Sequence, residues 1–214
     1  RARSGLTVAT QIERAALLRP RQTRAMSDIW PLFDLRVSTP RLELRYVDDE
    51  LGHALARLAA HGIHDPDFMP FSVPWTDAAS PQLERNTLQY YWRGRAEITP
   101  SSWTVDFAVL CEGEVVGSTG LSSHDFLVLR QFETGSWLGR AHQGRGIGKE
   151  LRIAALHLGF IGFGAEWATT GAFEDNAASL GVTRGLGYAL AGRRRTVSRG
   201  AARTLEGYEM HRSH

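Results

Sequence analysis

Three glycines at alternate positions, Gly144, Gly146 and Gly148, lie between a strand-like segment at 131–139 and a helical segment at 146–163. Glycine permits the tight, left-handed backbone that such a turn needs, and it leaves successive N–H groups uncovered. N–H groups at the N-terminus of a helix bind anions such as a pyrophosphate. The chain is therefore expected to fold around a strand–turn–helix unit with a candidate anion site at its centre.

The segments around this unit alternate irregularly between strand and helix patterns. Residues 41–47 alternate apolar and polar side chains, as in a half-buried strand. The strand-like runs 103–111 and 114–121 are separated by Glu112-Gly113, which predicts a hairpin. We also expect helices from about residue 49, at 81–94 and at 176–186, and strands at 167–173 and on both sides of a basic turn at 193–203. This order predicts one α/β (α+β) domain, with a mixed, mostly antiparallel sheet and helices on both faces.

The basic charge of the chain is concentrated at its start. Residues 1–25 carry six arginines and one acid, so leaving them out takes the formal net charge from +2 to −3. We interpret 1–25 as a disordered basic extension, or as a short amphipathic helix around Ile12–Leu18 that docks elsewhere, and 26–214 as the domain. Nucleic-acid binding is therefore not expected.

Other classes of protein are disfavoured by single features. The one cysteine, Cys111, cannot form an internal disulfide and is expected in the core. No apolar run approaches the roughly 20 residues that span a bilayer. With no export pattern either, a cytoplasmic protein is expected. His61 and His64 flank a proline-rich loop, and we expect no metal there.

Two common phosphate-binding motifs do not fit the glycine turn. A P-loop needs a glycine where Gln143 stands and a hydroxyl residue where Glu150 stands. The dinucleotide fingerprint needs G-x-G-x-x-G at the start of a βαβ unit, whereas this turn reads G-x-G-x-G after an antiparallel segment.

The pattern Gln143-x-x-Gly146-x-Gly148 resembles the acyl-CoA pyrophosphate loop of the GNAT N-acetyltransferase superfamily. Further segments resemble its ribosomal-protein N-terminal (RimJ/RimL-type) branch, in the same order, and the resemblance covers about 38–211. These segments are Thr39–Arg45, Gly135–Leu138, Asn176–Ser179 and Gly187-Tyr188. The resemblance implies a GNAT-like sheet that is splayed at the cofactor site.

The resemblance also implies a binding site for acetyl-CoA or another acyl-CoA. The pyrophosphate would be bound by the backbone of Gln143, Gly144, Arg145, Gly146, Ile147 and Gly148. The pantetheine arm would pair with Trp137, Leu138 and Gly139 as an added strand. Asn176 would hydrogen-bond the pantetheine beside Ser179, although Asn176 also suits a helix N-cap.

The implied reaction is direct transfer of an acetyl group, or another acyl such as succinyl, to a primary amine. Thr183 stands where many family members have a tyrosine that acts as the acid, so a weaker hydroxyl contact to sulfur is expected. Glu133 and Asp125 are the candidate bases, with His124 and His142 as alternatives. Because that tyrosine is missing, a non-catalytic, CoA-binding regulatory member of the same fold is the alternative function.

Residues 63–77 would form the wall of the acceptor pocket. Phe71 and Trp75, with Phe68 and Met69, would supply apolar surface, and His64, with Asp65 and Asp67, would hold an ammonium group. The aromatic residues could equally cap the core. The acceptor could be a protein N-terminus or a small molecule, and a homo-oligomer is possible. We expect the arginines of the basic turn at 193–203 to be solvated.

Overall fold

Eight strands form one sheet in the order β1-β2-β3-β4-β5-β6-β8-β7. The computed structural model describes residues 29–214, so the predicted extension at 1–25 lies outside the described residues. Neighbouring strands are antiparallel except β5 and β6, which are parallel. The strands are β1 (Arg36–Ser38), β2 (Leu42–Tyr46), β3 (Trp103–Cys111), β4 (Glu114–Ser123), β5 (Gln131–Leu138), β6 (Trp167–Phe173), β7 (Ala189–Ser198) and β8 (Ala201–His211). The predicted mixed, mostly antiparallel sheet is confirmed.

Four longer helices cover both faces of this sheet. They are α1 (Asp49–Ala60), α2 (Gln82–Ala96), α3 (Ile147–His157) and α4 (Ala177–Gly185). On β3, Phe107 belongs to the larger hydrophobic cluster with Leu151 of α3, whereas Ala108 belongs to a smaller cluster with Leu55 of α1. Since successive strand residues face opposite sides of a sheet, α1 and α3 pack on opposite faces.

The predicted helix at 146–163 is shorter than the sequence indicated. Helix α3 ends at His157, and a π-helical turn follows over Leu158–Gly162. A π turn rotates the buried face relative to regular helical spacing. Regular helical spacing would place Ile161 on the same buried stripe as Leu151 and Leu158, but Ile161 is 72% exposed. Gly159 lies against the ring of Phe132, where any Cβ would overlap with it.

The predicted basic turn at 193–203 was also wrong in extent. β7 continues to Ser198 and β8 begins at Ala201, so the Arg193–Arg195 run lies in a strand. This strand is exposed along most of its length and shows no apolar alternation. The actual turn is Arg199-Gly200, with φ of 49° and 74°. No helix among residues 29–214 is long and apolar enough to cross a membrane.

Candidate active site

The glycine turn has the left-handed backbone that the sequence predicted. Gly144 and Gly146 have φ of 73° and 77°, and Gly146 is the N-cap of α3. Within the described part of the chain, the N–H groups of residues 144–149 donate to no other backbone group. The N–H groups of a first helical turn have no partner inside the helix and lie at the positive end of its dipole. The turn is therefore built to bind an anion.

The side chain of Gln143 fixes this turn to the end of β5. Its amide nitrogen donates to the carbonyl oxygens of Ile63 at 2.6 Å and Leu138 at 2.9 Å. The side chain thus has a structural role in linking the turn, the strand and the loop after α1. The side-chain nitrogen of Gln143 is therefore already engaged within the protein.

Glu150, in the first turn of α3, holds the turn from the other side. Its carboxylate accepts hydrogen bonds from the hydroxyl of Thr39 and from Nε of Arg41, both at 2.6 Å. Burial alone would raise the pKa of Glu150, but the hydrogen bonds from Thr39 and Arg41 lower it overall. Arg41 also donates to the carbonyl of Arg145 at 3.1 Å. The segment before β2 therefore clamps the anion-binding turn.

β5 and β6 separate partway along β5, before the chain reaches the glycine turn. They pair only from Gln131–Trp167 to Glu133–Thr169. β5 remains paired with β4 as far as Leu138, but in the described structure no strand pairs with its other edge beyond Glu133. A free edge of this kind can accept an amide-bearing chain as an added strand. The splayed sheet is thus confirmed.

Arg152 lies beneath the opening between β5 and β6. It is 4% exposed, and its guanidinium donates to Thr170 Oγ1 at 3.1 Å and Ser136 Oγ at 3.4 Å. Its Nε has no partner among residues 29–214. The arginine connects the separating strands through their hydroxyl groups. Sequence reasoning missed it, although a cation within the apolar stripe of a helix was a visible signal.

Helix α4 presents the predicted Asn176 and Thr183 near this opening. Asn176 Oδ1 accepts from the N–H of Ser179 at 3.1 Å, which makes Asn176 the N-cap of the helix. Thr183 is only 1% exposed, and its hydroxyl has no hydrogen-bond partner in the described structure. A buried hydroxyl without a partner is costly, which makes Thr183 a candidate for a hydrogen bond to a ligand.

A cavity of about 490 Å³ lies on the face of the sheet that carries α1 and α2. Its floor is formed by residues that are paired across β3, β4 and β5. They are Thr104, Ser122 and Glu133 in one row, Asp106, Gly120 and Gly135 in the next, and then Ser118 and Trp137. Its walls come from α2 and from the loop after α1. The wall residues are Asn86, Thr87, Tyr90, Tyr91, Phe71, Val73 and Trp75.

Asp106 is the buried acid of this cavity, and the sequence analysis missed it. It is 8% exposed, and its one side-chain hydrogen bond in the described structure comes from the hydroxyl of Tyr90 at a long 3.4 Å. Burial raises the pKa of Asp106 to about 7. An acid in the middle of an otherwise apolar strand is disfavoured, and this was the signal available in the sequence.

Four residues of the predicted site line the cavity, whereas three of the predicted catalytic and acceptor residues do not: His64, Asp125 and Thr183. Glu133 and Trp137 lie on its floor, and the rings of Phe71 and Trp75 stack with centroids 5.4 Å apart in its wall. His64 lies outside the lining, because its ring nitrogens contact Thr76 Oγ1 at 2.7 Å and the carbonyl of Asp65 at 2.8 Å.

Asp125 also lies outside the cavity lining. It has a left-handed φ of 54° and precedes the single helical turn Phe126–Leu129, between β4 and β5. Its position is that of a turn residue at the far end of β4 from the glycine turn. Of the two predicted bases, Glu133 lines the cavity and Asp125 does not.

Comparison with known proteins gives a consistent result. The model of the acetyltransferase (GNAT) domain family matches residues 41–189. An acetyltransferase from Salmonella typhimurium that modifies the N-terminal serine of ribosomal protein L7/L12 has 17% identity and a TM-score of 0.68, over 83% of this chain and 99% of that one. RimL, the L7/L12 α-N-acetyltransferase, in complex with CoA has 18% identity and a TM-score of 0.64, over 83% and 98%. A GNAT-family acetyltransferase from Bacillus anthracis has 16% identity and a TM-score of 0.66, over 84% and 100%.

At these identities the solved structures establish a shared fold. The family model spans the clamp on Glu150, the glycine turn, the opening between β5 and β6, and the capped start of α4. The chain belongs to the GNAT acetyltransferase family.

Proposed function

We propose that this protein transfers an acetyl group from acetyl-CoA to a primary amine by direct attack, without a covalent enzyme intermediate. The observation that carries the proposal is that one stretch of β5 serves two sites. Residues 135–137 have a free backbone edge beside the glycine turn, and they also line the cavity. A donor along the edge and an acceptor in the cavity would meet at this stretch, which supplies proximity.

In this proposal the donor is bound mainly by backbone groups. The N–H groups of residues 144–148 bind the pyrophosphate, and Trp137, Leu138 and Gly139 pair with the pantetheine arm. Asn176 and Ser179 flank that arm at the start of α4. Arg145 and Lys149 are exposed beside the turn and add positive charge.

The chemistry then needs three contributions from the chain. A free N–H group of β5 stabilises the negative oxygen that forms when the amine attacks the thioester carbon. The buried hydroxyl of Thr183 donates to the departing sulfur. A carboxylate of the cavity, Glu133 or Asp106, accepts a proton from the amine.

The charges of the cavity favour acetyl over succinyl as the transferred group. Its lining contains two carboxylates, Asp106 and Glu133, and no lysine, arginine or histidine. The free carboxylate of a succinyl group would be repelled there. The acceptor is a small-molecule amine or a protein N-terminus, whose first residues the cavity would hold.

Calorimetry with acetyl-CoA, succinyl-CoA and free CoA, followed by a screen of amines and peptides for acetylation, tests this function. We expect binding of acetyl-CoA and formation of an N-acetyl product. CoA binding without transfer to any amine would instead favour the non-catalytic, CoA-binding alternative. Absence of CoA binding would reject both.

A further inference from the structure

Two carboxylates are buried in the described structure in very different surroundings. Glu206 is 3% exposed and accepts from the hydroxyl of Tyr208 at 2.6 Å and from Arg193 and Arg184, each at 2.8 Å. These bonds hold the pKa of Glu206 well below its usual value. Asp106 is buried without any cation within ion-pair distance in the described structure. A buried carboxylate without a cation is costly and is typical of functional sites.

The carboxylate of Asp106 extends over the neighbouring strand. A Cβ built on Gly120 would lie 2.5 Å from Asp106 Oδ1, so the carboxylate occupies the space above that glycine. Gly120 pairs in turn with Gly135 on β5, and neighbouring strands lie about 4.8 Å apart. Above Gly135 there is open space, since a Cβ built there meets nothing within 4 Å. A nitrogen held in this open space on the side toward Gly120 would therefore lie within hydrogen-bond reach of Asp106.

That position is also next to the separated edge of β5. Gly135 is two residues beyond Glu133, the last residue of β5 that pairs with β6. A nitrogen above Gly135 would thus have the acid on one side and the free strand edge on the other.

The surrounding side chains suit a cation. The cavity has two acids and no basic residue. Aromatic rings surround it, with Trp75 tilted against Trp137 at 5.9 Å between centroids and Tyr90 edge-on to Tyr91 at 5.3 Å. Rings of this kind attract an ammonium group through their negative faces.

We propose that, within the transfer reaction proposed above, Asp106 binds the ammonium group of the acceptor above Gly135 and takes its first proton. The ammonium gives one proton to the carboxylate and becomes a neutral amine. Its nitrogen then forms the bond to the thioester carbon while the carbon–sulfur bond breaks. A second proton passes from the nitrogen to the sulfur, and the third stays on the amide. The proton on Asp106 leaves to solvent with the product.

This assignment defines the class of acceptor. The amine must be primary and unhindered, and its chain must carry no carboxylate that enters the cavity with it, because such a carboxylate would face Asp106 and Glu133. Butylamine and putrescine meet these conditions, and γ-aminobutyrate, with a chain of matched length, does not.

The test compares the intact wild-type protein with Asp106→Asn, using acetyl-CoA and these three amines. We expect transfer to butylamine and putrescine but not to γ-aminobutyrate, and a loss of about 10²–10⁴-fold in kcat/KM for Asp106→Asn. The affinity for CoA should be unchanged. Glu133→Gln should cost much less, and Asp34→Asn, at an exposed and remote acid, should cost nothing.

The pH profile separates a proton acceptor from a structural residue. In the wild type, kcat/KM should level off above about pH 7–8, because the carboxylate is then ionised and binds the ammonium form. In Asp106→Asn only the neutral amine reacts, so the rate should rise about tenfold per pH unit toward the pKa of the amine, about 10.

Two glycine variants test where the ammonium group binds without changing Asp106 itself. Gly120→Ala displaces the carboxylate, and Gly135→Val fills the space above β5, so both should raise the KM for the amine while CoA still binds. Gly192→Val, on the exposed strand β7, is the matched control.

Equal activity and equal pH profiles for the wild type and Asp106→Asn would overturn this assignment while the acetyltransferase function stands. Efficient acetylation of γ-aminobutyrate would overturn the acceptor class. A wild type that binds CoA and acetylates no amine would overturn the proposed function, and this inference with it.

Discussion

We expect the binding of CoA to depend more on Gly146 than on any other single residue. Its φ of 77° is unfavourable for any side chain, and a β-branched one would also cover the N–H groups of the turn. We expect Gly146→Val to reduce the affinity for CoA at least 100-fold while the domain still folds, as measured by calorimetry and circular dichroism. Gly113→Val is the control, since Gly113 has a φ of 84° in the β3–β4 turn, away from the site. Equal loss of CoA binding in both variants would contradict the assignment.

The raised pKa of Asp106 also predicts how stability depends on pH. The unfolded chain ionises this group near pH 4 and the folded chain near pH 7, so folding becomes less favourable as pH rises between these values. Asp106→Asn removes this penalty. Between about pH 4.5 and pH 8 we expect the free energy of unfolding of the variant to rise relative to the wild type by about 3 kcal/mol.

Urea unfolding of both proteins at the two pH values measures this difference, because the other acids are common to both and cancel. A difference between wild type and variant that stays constant with pH would show that Asp106 is ionised in the folded protein as easily as in the unfolded chain.

Thr183 tests the handling of the leaving sulfur. Valine has nearly the shape of threonine without the hydroxyl, and the Thr183 hydroxyl has no partner to lose in the described structure. We expect Thr183→Val to keep or slightly raise stability and to lower kcat about tenfold, the scale of one hydrogen bond. Thr183→Ser should keep most of the activity. Unchanged kcat in Thr183→Val would remove the residue from the mechanism.

At the scale of single residues, the sequence predicted those whose structural role depends on neighbours close in the chain. The glycine turn and the cap at Asn176 depend on neighbours within a few positions, so their pattern is visible in the chain. Asp106 was missed because its environment comes from α2 and β4, which are distant in sequence. His64 was misplaced because its partners, Thr76 and the carbonyl of Asp65, use both ring nitrogens within the loop.

At the scale of elements, the β7–β8 hairpin holds the loop that walls the acceptor cavity. Arg199 at the hairpin turn donates to Asp77 Oδ2 at 3.0 Å and to the carbonyl of Pro66 at 2.8 Å. Arg203 on β8 donates to the carbonyl of Met69 at 2.8 Å and also pairs with Asp175. The hairpin therefore fixes Phe71 and Trp75 from outside.

Removing the contacts of Arg199 should weaken binding of the acceptor amine and leave binding of the donor, acetyl-CoA, unchanged. We expect Arg199→Ala to raise the KM for the amine about three- to tenfold, since loss of charged hydrogen bonds of this kind costs about 1 kcal/mol. The affinity for CoA should not change. Arg194→Ala, in the exposed part of β7, is the matched control. An Arg199→Ala protein with unchanged steady-state kinetics would show that the loop is held by its own packing.

Elements with strong periodicity were predicted well. The strands at 103–111 and 167–173 have the bounds that their apolar patterns indicate. The end of α3 was not predicted, because the π turn is stabilised by packing of Gly159 on Phe132 rather than by local sequence. The long hairpin was underestimated, because strands that are exposed on most of their residues lack alternation.

At the scale of the whole molecule, the order of helices and strands predicts the fold class. The separation of β5 from β6 creates the free edge on which the proposed function depends. In the proposed function, one strand is shared by a backbone edge for the donor and a cavity for the acceptor. That arrangement could not be derived from periodicity alone, because it depends on where a parallel pair of strands stops pairing. It was anticipated only through the resemblance to a family with a splayed sheet.

The most direct test of this account is a single-turnover experiment with the wild-type protein in excess over acetyl-CoA labelled in its acetyl carbonyl, with butylamine as acceptor. The account predicts that the label passes in one phase from the thioester to N-acetylbutylamine, with an equal amount of free CoA and no label on the denatured protein. Label retained on the protein, or bound acetyl-CoA that stays intact, would contradict it.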